Sequence, residues 1–169
     1  MLQFVENYRK LQHVSQPQLE NVMIGDMIAD LQHLYPAPVF RYDIENPEQM
    51  LRVDRSQIEQ VLINLLKNAQ EAVENDVQQS SDNAKEPCVR LSTHLSDSKR
   101  NFIISITDNG KGILPEVLNR IFVPFFTTKT SGSGIGLSIC KQIVTLHGGT
   151  ITASSQPNEK TTFNVVLPA

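Results

Sequence analysis

The 169-residue chain has no tryptophan, only two cysteines and no basic excess: 15 lysines and arginines stand against 18 aspartates and glutamates, for a net charge of −3. Each shortage excludes something. Cys88 and Cys140 lie far apart, with no Cys-x-x-Cys spacing and no Cys/His cluster, which argues against a disulfide framework or a structural zinc. Both fit as small core residues in a reducing compartment. Without a basic surface, nucleic acid and anionic membrane are poor candidates for a main partner. No apolar run approaches the roughly 20 residues that span a bilayer, and the N-terminus has no signal-peptide pattern. The expectation is a chain that is soluble as written, in a cytoplasmic setting. With 40% hydrophobic and 20% charged residues, the chain can fill one domain plus a short arm.

Hydrophobic spacing orders the rest. Residues 1–11 place Phe4, Tyr8 and Leu11 at helical intervals and look like the end of a longer helix, while the polar stretch HVSQPQLEN after them reads as a linker. A short helix is expected over 25–35, stopped by Pro36, followed by short strands at 39–44 and 51–53. The clearest element is a helix from Arg55 to about Glu74. Asp54 and Gln57 resemble a capping box, and Ile58, Val61, Leu62, Leu65, Leu66, Ala69, Ala72 and Val73 form one stripe. A solvated loop, NDVQQSSDNAKEP, then leads to a hairpin of alternating strands, 89–95 and 102–107. Pro115 starts a brief helix to Ile121, and 122–134 is irregular. A helix over 136–146 is closed by Gly148-Gly149, and strands near 150–153 and 162–167 finish the chain.

Three groups of residues carry chemistry. Gly132, Gly134 and Gly136 alternate straight into a helical pattern, so backbone N–H groups and a helix N-terminus can face an anion such as phosphate. The spacing fits neither a P-loop nor a dinucleotide fingerprint. Asn64 and Asn68, four apart, share one face of the long helix, where an amide oxygen can complete the shell of a Mg²⁺ that keeps waters and phosphate oxygens as its other ligands. Asp108 ends a strand before a glycine turn; its carboxylate, an acceptor only, can read an amine such as the exocyclic N6 of adenine. Taken singly, each has a plainer explanation: a flexible turn, two polar residues at a helix boundary, an Asp-Asn-Gly turn.

Their order along the chain carries more. The boxes IleAsnLeuLeuLysAsnAla (63–69), AspAsnGlyLysGlyIle (108–113), PheValProPhePheThrThrLys (122–129) and GlySerGlyIleGlyLeu (132–137) resemble the asparagine, first glycine, phenylalanine and second glycine boxes of the catalytic ATP-binding domain of sensor histidine kinases. His147-Gly148-Gly149 and the closing ThrThrPheAsnValValLeuPro match as well, so the resemblance covers about 38–168. It implies an α/β fold of the superfamily that includes Hsp90, type II topoisomerase and MutL ATPases: a two-layer α/β sandwich of the Bergerat type. A mixed sheet faces three helices, with ATP between the helices under a mobile lid, here about 111–131.

Carried onto this sequence, the resemblance assigns Asp108 to adenine, Asn68 to Mg²⁺ and Asn64 to the phosphates and metal. Gly110 and Gly112 shape the adenine pocket; Gly132, Ser133, Gly134 and Gly136, with Leu137 ending the box, cradle phosphates. Thr162 supports Asp108 through water, Phe125 and Phe126 pack the lid closed, and Lys129 reaches the γ-phosphate. By the same token residues 1–20 are the end of a dimerisation helix and its linker, and 21–169 the catalytic domain. The implied cofactors are ATP and Mg²⁺. The implied partners are the dimerisation and histidine phosphotransfer domain of the parent and a response regulator.

Departures from the pattern sharpen this. Glu71 stands where many members have Lys, which leaves Lys67 or Lys129 to supply the cation, and the closing motif has Thr161-Thr162 in place of Gly-Thr. His13, His33, His94 and His147 all lack the phosphoacceptor context of a neighbouring acid and a downstream Asn-Pro. The rival enzyme class, an ATPase of the Hsp90 or topoisomerase type, uses a Glu where this chain has Asn64, and an amide cannot serve as the general base that activates water. The other alternative is a nucleotide-sensing module without transfer.

Overall fold

The computed structural model describes residues 2–12, 14–79, 85–128 and 134–169. In chain order the elements are α1 (Leu2–Gln12), β1 (Glu20–Met23), α2 (Ile24–Leu34), β2 (Phe40–Ile44), β3 (Met50–Val53), α3 (Arg55–Gln79), β4 (Val89–Leu95), β5 (Asn101–Asp108), α4 (Pro115–Leu118), α5 (Gly136–Leu146), β6 (Thr150–Gln156) and β7 (Lys160–Pro168).

A five-stranded mixed sheet has the order β2-β4-β5-β7-β6. β2 runs parallel to β4, and the other pairs are antiparallel. β5 sits at its centre because Phe102, Ile104 and Ile106 alternate inward and are all buried. Against that face lies α3, whose Ile58, Val61, Leu62, Leu65 and Leu66 are fully buried, each contributing about 1.5–3 kcal/mol of apolar burial. α5 adds Cys140, Ile143 and Val144, and α2 adds Ile24, Met27, Ile28 and Leu31. This is the expected sheet against three helices. The exposed ion pairs Arg90–Asp43 and Arg55–Asp30 are worth at most about 1 kcal/mol each, so apolar packing decides the fold.

Four details depart from expectation. The strand expected at 51–53 pairs in a separate two-stranded sheet with β1, a strand over Glu20–Met23 that was not expected. That strand was hidden in the polar linker, because only Val22 of its four residues is buried. α3 runs five residues past Glu74, since no Gly or Pro interrupts it and Gln70 bonds Glu74 at 3.0 Å one turn on. α4 is shorter, ending at Leu118. The capping box at α3 is half formed: Asp54 Oδ1 accepts the Gln57 N–H at 3.1 Å, but the Asp54 N–H goes to His147 Nε2 at 3.0 Å.

Candidate functional site

The alternation that buries Phe102, Ile104 and Ile106 continues to Asp108, so the last residue of β5 points its carboxylate to the helix side of the sheet. Asp108 is only 4% exposed, and its Oδ1 accepts the Gly110 N–H at 3.0 Å. Burial raises its pKa to about 6, against the lowering effect of that hydrogen bond. The turn is stitched at its flank by Asn109, whose Oδ1 accepts the Cys88 N–H at 2.9 Å and whose amide donates to Glu86 O at 2.8 Å.

Gly110 is where the turn meets α3. A Cβ there would lie 2.7 Å from the Ala72 carbonyl oxygen, one helical turn beyond Asn68. Only a glycine lets the backbones approach so closely, and the approach brings the turn that follows Asp108 against α3 at Ala72. Gly112 has φ +74, with Gln156 O 2.6 Å from where its Cβ would stand.

Asn64 and Asn68 are half-buried on α3, one turn apart. The Asn64 amide donates to Cys140 Sγ of α5 at 3.7 Å, which leaves its oxygen without a partner among the described residues. Cys140 itself is a buried thiol; burial pushes its pKa up to about 12, against the lowering effect of the Asn64 amide, so it stays protonated.

One turn before Cys140, α5 begins at Gly136 with no side-chain cap on its N-terminus among the described residues. Its first N–H groups therefore have no intrahelical partner, and a Cβ on Gly136 would meet nothing within 4 Å among the described residues. An uncapped helix start beside the asparagine face suits an anion. Gly134, at φ +74, lies against the Phe125 backbone, with 2.4 Å to the carbonyl carbon from the position of a Cβ. Phe125 itself has φ +65, and its ring stacks on Phe4 of α1 at 5.2 Å. Leu137 is half-buried against the core. Lys129, Gly132 and Ser133 lie outside the described residues.

One expected residue is placed elsewhere. Thr162 is registered with Thr107 and shares a hydroxyl hydrogen bond with it at 2.9 Å, on the sheet face away from Asp108. The residue registered with Asp108 is Thr161, buried at 3% exposure and bonded to the Ser155 hydroxyl at 2.9 Å. The correction follows from the period of two: counting back from buried Phe163 puts Thr161, not Thr162, on the helix side. The same count was available in the sequence.

Residues 53–169 match the family model described as "Histidine kinase-, DNA gyrase B-, and HSP90-like ATPase", and the chain belongs to this family. Within that class it is similar to sensor histidine kinases. The sensory histidine kinase/phosphatase NtrB of Rhizobium meliloti (strain 1021) is 40% identical over 120 residues, 69% of this chain and 31% of NtrB. The sensor histidine kinase ZraS of Escherichia coli (strain K12) is 39% identical over 119 residues, 70% of this chain and 23% of ZraS. The chain thus spans a third or less of the length of these relatives. Among solved structures, the catalytic domain of histidine kinase ThkA in a nucleotide-free form superposes with a TM-score of 0.74 at 28% identity, covering 89% of this chain and 95% of that one.

Proposed function

We propose that this chain is the catalytic part of a sensor histidine kinase, holding Mg·ATP so that the γ-phosphoryl faces a histidine on a separate helical hairpin of the parent. A response-regulator aspartate receives the phosphoryl afterwards. The observation that carries the proposal is the convergence of a buried carboxylate, a pair of helix asparagines and an uncapped helix N-terminus, held together by the Gly110–Ala72 contact and the Asn64–Cys140 contact.

The residues divide the work. Asp108 accepts from the adenine amino group, with Thr161 beside it on β7. Asn68 and the Asn64 oxygen face the phosphates and metal. Among the described residues no group of three or more His, Cys, Asp or Glu is placed to hold a metal. Amide oxygens that complete a shell of waters and phosphates fit Mg²⁺. Bound there, Mg·ATP supplies the phosphoryl group and neutralises charge on it. The start of α5 orients the phosphates, and Phe125 and the segment around it exclude water. Lys129 is the cation for the γ-phosphate. Catalysis of this kind is mostly positioning and charge neutralisation, and Asn64 in place of a carboxylate keeps water from being activated. The setting is the cytoplasm; among the described residues no helix is long and apolar enough to cross a membrane.

Calorimetry with ATP in the presence and absence of Mg²⁺, followed by single-turnover transfer to the detached hairpin, tests the proposal. Micromolar to millimolar binding that requires Mg²⁺ for transfer supports it; absence of binding overturns it.

A further inference from the structure

The polar stretch between α1 and β1 is docked on the catalytic body, and its side-chain hydrogen bonds fall on Asp54, just before α3, and Gln57 in its first turn. The Gln57 amide donates to Ser15 O at 2.9 Å and to the Ser15 hydroxyl at 3.3 Å. Asp54 Oδ2 accepts the Gln18 N–H at 2.9 Å, while its Oδ1 takes the Ser56 hydroxyl at 2.9 Å and the Gln57 N–H. Burial would raise the Asp54 pKa, but these hydrogen bonds bring it below the usual aspartate value, so it is an anion at neutral pH. His147 accepts the Asp54 N–H through Nε2 and holds its Nδ1 on Ile143 O at 2.7 Å, which ties the end of α5 into the same cluster. Val14 packs on the core and β1 pairs with β3, so residues 14–23 form one continuous strap.

Gln57 is an expensive choice for this position. It is 91% buried, and its Oε1 is buried with no hydrogen-bond partner among the described residues. An unpaired buried acceptor lowers stability, and an apolar side chain of the same length would avoid the loss. The helix does not need the amide, because Asp54 caps it. Apolar packing holds the strap only at Val14 and Val22, and beside Val14 a cavity of about 510 Å³ opens toward Arg9, Gln57, Gln60, Ile139 and Ile143. What the Gln57 amide does is hold the Ser15 backbone.

We infer that Gln57 and Asp54 are positioning residues for phosphotransfer: they fasten the strap, so that α1 is joined to the catalytic body through a fixed segment and a hairpin on the same polypeptide reaches the nucleotide in the right geometry. The inference rests on the function proposed above.

The test uses the kinase that carries the hairpin and this chain on one polypeptide, with Gln57→Met, which fills the same space without the donor, and Gln57→Glu, which keeps the shape and replaces the donor with an acceptor. Both variants should accelerate hydrogen exchange at Gln18 at least about tenfold and leave ATP affinity within about twofold. Transfer to the hairpin in cis should fall about tenfold or more, while transfer to a detached hairpin in trans stays at the parental rate. A merely structural role would lower both transfers together. Unchanged cis transfer, or equal loss in cis and trans, overturns the inference. Failure of the parental protein to bind ATP or to transfer at all would instead overturn the proposed function.

Discussion

The Asp108 carboxylate accepts the N–H of Gly110, two residues on, at 3.0 Å, so the strand end and the glycine turn are locked to each other before any ligand arrives. One oxygen is spent on the turn, which leaves the carboxylate aimed rather than free to swing. Replacing Asp108 with Ala should cost about 1.5–3 kcal/mol of nucleotide binding, roughly 10- to 150-fold in affinity. Discrimination against GTP should fall with it. Unchanged ATP affinity by calorimetry would remove Asp108 from the site.

The pH dependence of the same residue has a defined sign. Burial raises its pKa from 3.8 to about 6, so the folded protein binds this proton more tightly than the unfolded chain. Its contribution to stability is complete below about pH 3.8 and is lost as pH rises through about 6. Adenine recognition runs the other way, since the ionised carboxylate is the stronger acceptor. ATP affinity should therefore climb as pH rises through about 6 in the parental chain. In Asp108→Asn only the titration of the nucleotide itself should remain, and identical pH slopes for the two would contradict the assignment.

Two glycines should separate packing from binding. In Gly110→Ala the methyl group meets the Ala72 carbonyl at 2.7 Å, and the backbones must part. The loss should be about 1–3 kcal/mol, a fall in Tm of roughly 2–12 °C. In Gly136→Ala the methyl group meets none of the described residues, and the helix gains propensity, so Tm should hold or rise slightly. ATP affinity should nonetheless drop, because the methyl group stands at the uncapped helix start. Thermal melts and titrations of the two variants check this, and full affinity in Gly136→Ala would move the phosphates elsewhere.

Phe4 on Phe125 ties α1 to the segment before Gly134. Stacked rings are worth about 0.5–1.5 kcal/mol beyond their area. Phe4→Ala should speed hydrogen exchange over 122–128 severalfold, and a non-hydrolysable ATP analogue should slow exchange there in both proteins. Exchange indifferent to both changes would leave Phe125 without a role in closing the site.

How much of this was legible in the sequence depends on range. Local periodicity revealed α3, α5 and the β4–β5 hairpin, because their buried residues recur at 3.6 or 2 along the chain. It missed β1, where a single buried Val22 cannot declare a period. Asp108, Asn64 and Asn68 stood out as box residues, and the fold brings their elements together. Thr161, not Thr162, is registered with Asp108, and the alternation ending in Phe163 separates the two in the sequence as well. The role of Gln57 was hidden in a true sense: the capping pattern accounted for it, and only the strap crossing α3 shows its amide turned to Ser15.

The most direct measurement mixes the chain with labelled ATP and Mg²⁺, alone and with the detached histidine hairpin of its parent. Alone, it should show slow hydrolysis and no acid-labile phosphohistidine, because its four histidines all lack the acceptor context. With the hairpin, label should pass to the hairpin histidine, and Asn68→Ala should lower that rate by at least about 100-fold through loss of charge neutralisation at the phosphates. Label on a histidine of this chain, or transfer by the Asn68 variant at the parental rate, would contradict the proposed function.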